Sequence, residues 1–377
     1  MTHASPPSVL EANLMDTWLV ANHHKTRVNL GESNVRDLCL RDLPVNAGAD
    51  HWLLDVTLGN NSTWGSERLR KAVAETYPSV TPAQVLITAG VSEGIVAVCL
   101  THYEAGANVV MPVPMFHALI DVPEKLGYEV RKLPLSPKDG FRLRPAQIRA
   151  ALDERTRLVI LNSPHNPTGV VYTYEEIMHI ADAAQAVGAT VVVDEHYRYL
   201  SHVPGQEALP SASFGRPNIV TLSSVGKCFG CTGIRVGWII ADSRALERYH
   251  HHKLILTHTI PLISDLIAAQ ILERRRELLD RSKGEIMANL RRLTLLAHDS
   301  RGGMVVHTPE AGGVAFVELP GVMDTLGFAQ RLLDEHGVLV LPGESFDLPG
   351  FIRVRLGVLP EEFDRACAGM KALLPAA

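Results

Sequence analysis

Ser223-Ser224-Val225-Gly226-Lys227-Cys228-Phe229-Gly230-Cys231-Thr232-Gly233-Ile234-Arg235-Val236-Gly237-Trp238 lies between two apolar, β-leaning runs, 218–222 and 236–241. Short apolar runs bounded by glycines predict strands, so Lys227 is expected in a glycine-rich turn at a sheet edge, where ligands collect in α/β folds. A lysine amine so placed can condense with a carbonyl group. Ser224, three residues before it, and Arg235, eight after it, supply a hydroxyl and a fixed cation suited to a phosphate. A solvated loop lysine beside a turn is the competing reading, so the surrounding sequence has to decide.

Upstream, short apolar segments alternate with longer amphipathic ones. Strands are expected at 85–88, 108–111, 157–161 and 190–193, with helices at 67–77 (capped by Ser66), from about 92, from about 116, and at 174–187. That alternation predicts an α/β fold whose large domain has a mostly parallel sheet flanked by helices. Before it stand a polar, proline-rich arm at 1–8, a helix at 10–21 and a short strand from Val28. Beyond about residue 245 the pattern turns helical, over 245–258 and 261–298. A smaller C-terminal α/β unit follows, with strands at 304–307, 314–318, 338–341 and 351–355 and helices at 324–336 and 360–373. The expected division is 1–45 as an N-terminal arm and helix packing on the small domain, 46–258 as the large domain, and 259–377 as a linking helix with the small domain.

With 377 residues, 46% of them hydrophobic, the chain can bury a large core. Its 36 basic and 41 acidic side chains leave a formal charge of −5 without any long run of one sign, which disfavours nucleic acid and anionic membranes as partners. No uninterrupted apolar stretch suits a membrane span, and Met1-Thr2-His3-Ala4-Ser5-Pro6-Pro7 lacks the order of a signal peptide, so a cytoplasmic protein is expected. Five scattered cysteines argue against a disulfide framework. Cys228 and Cys231 form a Cys-x-x-Cys without a second ligand pair and read as packing, and the run His250-His251-His252 reads as the polar side of a helix, so no metal site is expected.

Each strand of the large domain is followed by chemistry-bearing residues. Ala89-Gly90-Val91-Ser92-Glu93-Gly94 opens a helix, whose first N–H groups, from Val91 and Ser92, suit a phosphate. Pro112-Val113-Pro114-Met115-Phe116 brings an aromatic ring that can lie on a flat heterocycle or belong to the core. Ser163-Pro164-His165-Asn166-Pro167-Thr168-Gly169 holds Asn166 between prolines, able to aim its amide, although a plain turn is an open alternative. Val193-Asp194-Glu195-His196-Tyr197 ends a buried strand in a carboxylate that needs a cationic partner, such as a protonated pyridine nitrogen.

In this order, with Gly233-Ile234-Arg235-Val236-Gly237 and Phe351-Ile352-Arg353, these motifs resemble the fold-type I enzymes of the class I/II aminotransferase family, which depend on pyridoxal 5′-phosphate (PLP). The resemblance covers nearly the whole chain. It implies that Lys227 forms the Schiff base and moves the proton, and that Asp194 pairs with the pyridine nitrogen. It implies further that Asn166 and Tyr197 hold the phenolic oxygen, that Phe116 stacks on the ring, and that Val91, Ser92, Ser224 and Arg235 form the phosphate cup. Arg353 becomes the clamp on the substrate carboxylate, with Asn166 beside it.

The same resemblance implies a homodimer with composite active sites and conversion of an L-amino acid to its 2-oxo acid. Two departures stand out: Gly226 replaces the family's usual serine or threonine before the lysine, and Asn60 replaces a tyrosine that reaches the neighbouring subunit. The region Leu14 to Trp18 and Val28 to Val35 is similar in layout to arginine-tailoring members, namely capreomycidine synthase-like cyclases and arginine oxidases or hydroxylases. There Glu32 would pair with a guanidinium, or it only caps a turn. A catalytically inactive PLP-fold regulator is the third alternative, disfavoured by the lack of a DNA-binding extension.

Overall fold

The computed structural model describes residues 13–42, 56–213 and 216–374. The expected arm at 1–8, the start of the first helix and the expected boundary at 45/46 lie outside the described residues.

A seven-stranded sheet runs in the order Val85–Thr88, Gly237–Ile240, Ile219–Ser224, Thr190–Asp194, Thr156–Asn162, Asn108–Val113, Glu129–Pro134. Gly237–Ile240 alone runs against the rest. Alternate residues of each strand enter two separate cores. Val85, Ile87, Val110, Val159, Leu161, Val191 and Val193 face one, while Leu86, Val109, Met111, Leu158, Ile160, Val192 and Leu222 face the other. A sheet covered on both faces has to read as continuous apolar runs, which is why these strands are apolar without a polar side.

The helix at 67–74 starts where Ser66 Oγ accepts the N–H of Leu69 at 3.1 Å, satisfying one of the donors left open at a helix start. Thr173 and Glu176 form a reciprocal cap on Tyr174–Ala186.

The C-terminal unit carries an antiparallel sheet ordered Leu341–Pro342, Phe351–Arg355, Val314–Glu318, Val305–His307, with helices Thr325–His336 and Pro360–Leu373. Val28–Asn29 pairs in parallel with Val338–Leu339, so the N-terminal segment is stitched to this unit. Trp18, on the helix Leu14–Asn22, reinforces the join by donating from Nε1 to the Val340 carbonyl at 3.0 Å.

Several elements differ from the sequence reading. The helical stretch 261–298 is two helices, Leu262–Glu273 and Arg275–Asp299, interrupted where Arg274 leaves helical geometry at φ −116°, ψ 22°. The strand at 338–341 is split between two sheets. Glu129–Pro134 is an edge strand in which no residue is fully buried and Glu129, Lys132 and Pro134 are exposed, so it lacks the apolar signature used to find the others. Lys227 sits on a single helical turn, Gly226–Phe229, within the expected loop.

Candidate active site

Because six of the seven strands point the same way, the residues after Thr88, Val113, Asn162, Asp194 and Ser224 all emerge at one edge. The antiparallel strand brings Arg235 to that edge just before it begins at Gly237. Ser33, Phe116, Asn162, Asn166, Asp194, His196, Tyr197 and Lys227 line a narrow cleft there.

Lys227 makes no hydrogen bond through its amine among the described residues. Burial lowers its ammonium to about 8, with the guanidinium groups of Arg353, Arg355 and Arg235 pushing the same way and Glu32 opposing them. Asp194 is 2% exposed, and its Oδ1 accepts only the N–H of His196 at 3.0 Å. Burial lifts its carboxyl to about 7, against the His196 N–H and the charge of Lys227, and no cation is hydrogen-bonded to it among the described residues, which suits a cationic partner from a bound group. Burial drives the Tyr197 phenol up to about 12, against the opposing influence of Arg353 and Ser33.

Asn166 is aimed from both sides. Its N–H donates to Asn162 Oδ1 at 2.6 Å, and its own Oδ1 accepts from Arg353 Nη1 at 3.1 Å, which leaves Nδ2 to donate into the cleft. Arg353, 1% exposed, also donates from Nη2 to the Gly31 carbonyl at 2.6 Å, while its Nε has no partner among the described residues. A buried guanidinium with an idle N–H and no carboxylate hydrogen-bonded to it among those residues fits an incoming anion.

Gly90 takes φ 83°, and a Cβ there would lie 2.6 Å from Arg235 Nη2; a Cβ on Gly237 would lie 2.7 Å from the Gly90 carbonyl carbon. Two bare backbones thus let the exposed Arg235 side chain lie over the start of the helix Val91–His102, where buried Val91 and exposed Ser92 present the first turn. This cradle fits a phosphate. Ser224 Oγ is held between the Gly226 N–H at 3.1 Å and His196 Nε2 at 2.5 Å. Phe116 borders the cleft and meets His117 edge-on at 4.6 Å.

Glu32 acts electrostatically on Lys227, Arg353 and Arg355, raising each, and its carboxylate makes no hydrogen bond among the described residues. The turn around it is capped by Asn29, whose Oδ1 accepts from the N–H groups of Gly31 and Glu32. Asn60 is exposed. Cys228 and Cys231 donate to the carbonyls of His196 and Val225 at 3.1 and 3.2 Å, and burial raises both thiols. No cluster of metal-ligating side chains occurs among the described residues.

Ser33, Asn162 and His196 were not singled out from the sequence. His196 was legible as part of the Asp194 to Tyr197 run. Burial and the neighbouring cations lower its imidazole to about 3, so it meets Ser224 as a neutral ring.

The cleft therefore offers a reactive amine, an unpaired buried acid, a phosphate cradle and an anion clamp, a donor set that PLP and an amino acid fit. The family model for aminotransferase class I and II matches residues 27–370. Capreomycidine synthase of Streptomyces vinaceus is 27% identical over 97% of this chain and 94% of its own. Arginine–pyruvate transaminase of Pseudomonas aeruginosa is 28% identical over 83% of each. The crystal structure of a PLP-dependent aminotransferase from Streptococcus suis superposes with a TM-score of 0.89 at 24% identity, covering 95% of this chain and 96% of that one. Cleft and comparisons agree: the chain belongs to the class I and II aminotransferase family and is a PLP-dependent transferase.

Proposed function

We propose that the protein transfers the amino group of an L-amino acid to an acceptor, releasing the 2-oxo acid, with Lys227 as the lysine that binds PLP. Bound PLP supplies an aldehyde that takes up amino groups and a ring that withdraws electrons from the attached carbon. The remaining work falls to the chain. Lys227 Nζ, with its ammonium lowered to about 8, is neutral often enough near neutral pH to take up and return the substrate Cα proton. Asp194 would stabilise a proton on the ring nitrogen, Asn166 Nδ2 and the Tyr197 hydroxyl would hold the phenolic oxygen, and Phe116 would border the ring. Val91, Ser92, Ser224 and Arg235 take the phosphate.

The observation that carries the substrate reading is Arg353, buried, with Nε unpartnered, beside the amide of Asn166. That geometry suits an α-carboxylate held in two-pronged fashion. Mixing the PLP-loaded protein with a panel of amino acids and weighing the products tests it. A 2-oxo acid from at least one amino acid is expected, and an absence of spectral change with all of them contradicts it.

Glu32 favours a second reading, in which a guanidinium substrate is cyclised or oxidised. Its carboxylate is uncommitted and electrostatically coupled to Lys227 and Arg353, and capreomycidine synthase aligns over 97% of this chain. Arginine incubated with the protein under air, without any 2-oxo acid acceptor, distinguishes the two: peroxide or a cyclised product favours arginine tailoring.

We further propose a cytoplasmic homodimer with composite active sites, in which the exposed Asn60 region approaches the neighbouring cleft. Among the described residues no helix is long and apolar enough to cross a membrane. We set the boundary between large and small units at 258/259, a choice that falls between the helices Ser243–Leu256 and Leu262–Glu273. Mass measurement in solution checks the dimer.

A further inference from the structure

Glu93 stands on the first turn of the helix Val91–His102 and is 7% exposed. A carboxylate is costly to bury unless its oxygens are occupied. Both are: Oε2 accepts the N–H of Ala89 at 2.6 Å, and Oε1 accepts the Thr257 hydroxyl at 2.6 Å. Ala89 joins the strand Val85–Thr88 to Gly90, so the first bond reaches back from the helix around the very turn that leads into it. The second ties that turn to the end of another helix, Ser243–Leu256, where Thr257 is the C-cap.

A cation stands behind the carboxylate. Lys253 is 1% exposed and donates from Nζ to the His258 carbonyl at 2.7 Å. Burial lowers its ammonium, and the charge of Glu93 opposes that. Glu93 therefore accepts from a backbone donor and a hydroxyl donor and acts on the charge of a buried lysine.

Backbone packing leaves this turn little room: a Cβ on Gly237 would lie 2.7 Å from the Gly90 carbonyl carbon and 2.9 Å from Val91 N, and the Arg235 side chain lies against Gly90. Any rise of Ala89 and Gly90 would shift the first N–H groups of the helix relative to that guanidinium.

We propose that Glu93 is a positioning residue for the cofactor phosphate: holding Ala89 N and Thr257 Oγ1, it sets the turn so that the helix start and Arg235 converge on one anion. This rests on reading the turn as the phosphate cup.

The test compares binding of PLP, pyridoxal and inorganic phosphate to the cofactor-free protein. Glu93→Met removes both acceptors while keeping bulk. It is expected to weaken PLP and inorganic phosphate by about tenfold or more, the scale of a lost charge-assisted hydrogen bond, and to leave pyridoxal unchanged. Glu93→Gln retains an oxygen for Ala89 and an amide for Thr257, and is expected to restore binding to within about threefold of the parent. Equal weakening of PLP and pyridoxal, or no weakening, overturns the proposal.

If Glu93→Met does not fold, Thr257→Val decides: a selective loss of about threefold for PLP over pyridoxal supports the proposal, and an unchanged ratio overturns it. Arg235→Met separates the two claims. If it leaves the PLP to pyridoxal ratio unchanged, the phosphate cup itself is misplaced; if it lowers the ratio while the Glu93 variants do not, only the role of Glu93 fails.

Discussion

Arg353 Nη1 donates to Asn166 Oδ1 at 3.1 Å, so a strand of the small sheet and the loop after Asn162 in the large sheet meet through one buried hydrogen bond. The bond commits the amide oxygen of Asn166 and frees its nitrogen for an acceptor. It also holds the guanidinium in place while Nε stays open. The residue proposed to bind the substrate carboxylate and the residue proposed to orient the cofactor thus share a link.

Replacing Arg353 is accordingly expected to act through the carboxylate. Arg353→Lys loses the planar fork, and Arg353→Ala loses the charge as well. KM for the preferred amino acid should rise on the order of a hundredfold in Arg353→Ala, the usual cost of removing one partner of a buried charged pair. Reaction of the corresponding amine, which lacks the carboxylate, measures whether the effect is specific: its rate should change far less.

Asp194 should trade stability for function. Its carboxyl rises in the folded protein to about 7, so between the ordinary carboxylate range and about 7 the folded chain keeps a proton that the unfolded chain has released. Stability of the cofactor-free protein from this group therefore falls as pH rises through that window and levels off above it. Asp194→Asn can still accept the His196 N–H without becoming charged. It should stabilise the cofactor-free protein by roughly 1–3 kcal/mol at about pH 8 and have little effect at about pH 4, while turnover drops at least about a hundredfold. Melting curves at the two pH values, with activity alongside, check both halves.

The lowered ammonium of Lys227 makes it a lysine to follow by site-resolved labelling, alongside Lys253 and Lys283, which burial also lowers. In the cofactor-free protein, modification by an amine-directed reagent should reach half its maximal rate near pH 8, well below the range of exposed lysines. Glu32 raises this value, so Glu32→Gln should move the profile to lower pH. A profile unmoved by that change would separate Glu32 from the amine and weaken the guanidinium reading.

Much of the sheet edge was legible because a two-sided core demands unbroken apolar strands, and a parallel arrangement sends every strand's end to the same edge. Phe116, Asn166, Asp194, Tyr197 and Lys227 all line one cleft, while the Gly90 turn meets Arg235 beside it.

What escaped detection depends on contacts that no local pattern records. Asn162 matters through its bond to the Asn166 N–H, and His196 through Ser224. Ser33 reaches the cleft because Val28–Asn29 is anchored to Val338–Leu339, a pairing that joins the two ends of the chain. The break at Arg274 is equally silent, since the residues around it are charged and good helix formers. The strand at 129–134 was missed for a related reason: on an edge, one buried face is not required.

The most direct test of the account is to load the protein with PLP, reduce it with borohydride, digest it and locate the modified lysine by mass spectrometry. The account predicts a pyridoxyl group on Lys227 alone, absent in Lys227→Ala along with turnover. Modification of another lysine, or full turnover in Lys227→Ala, would contradict it.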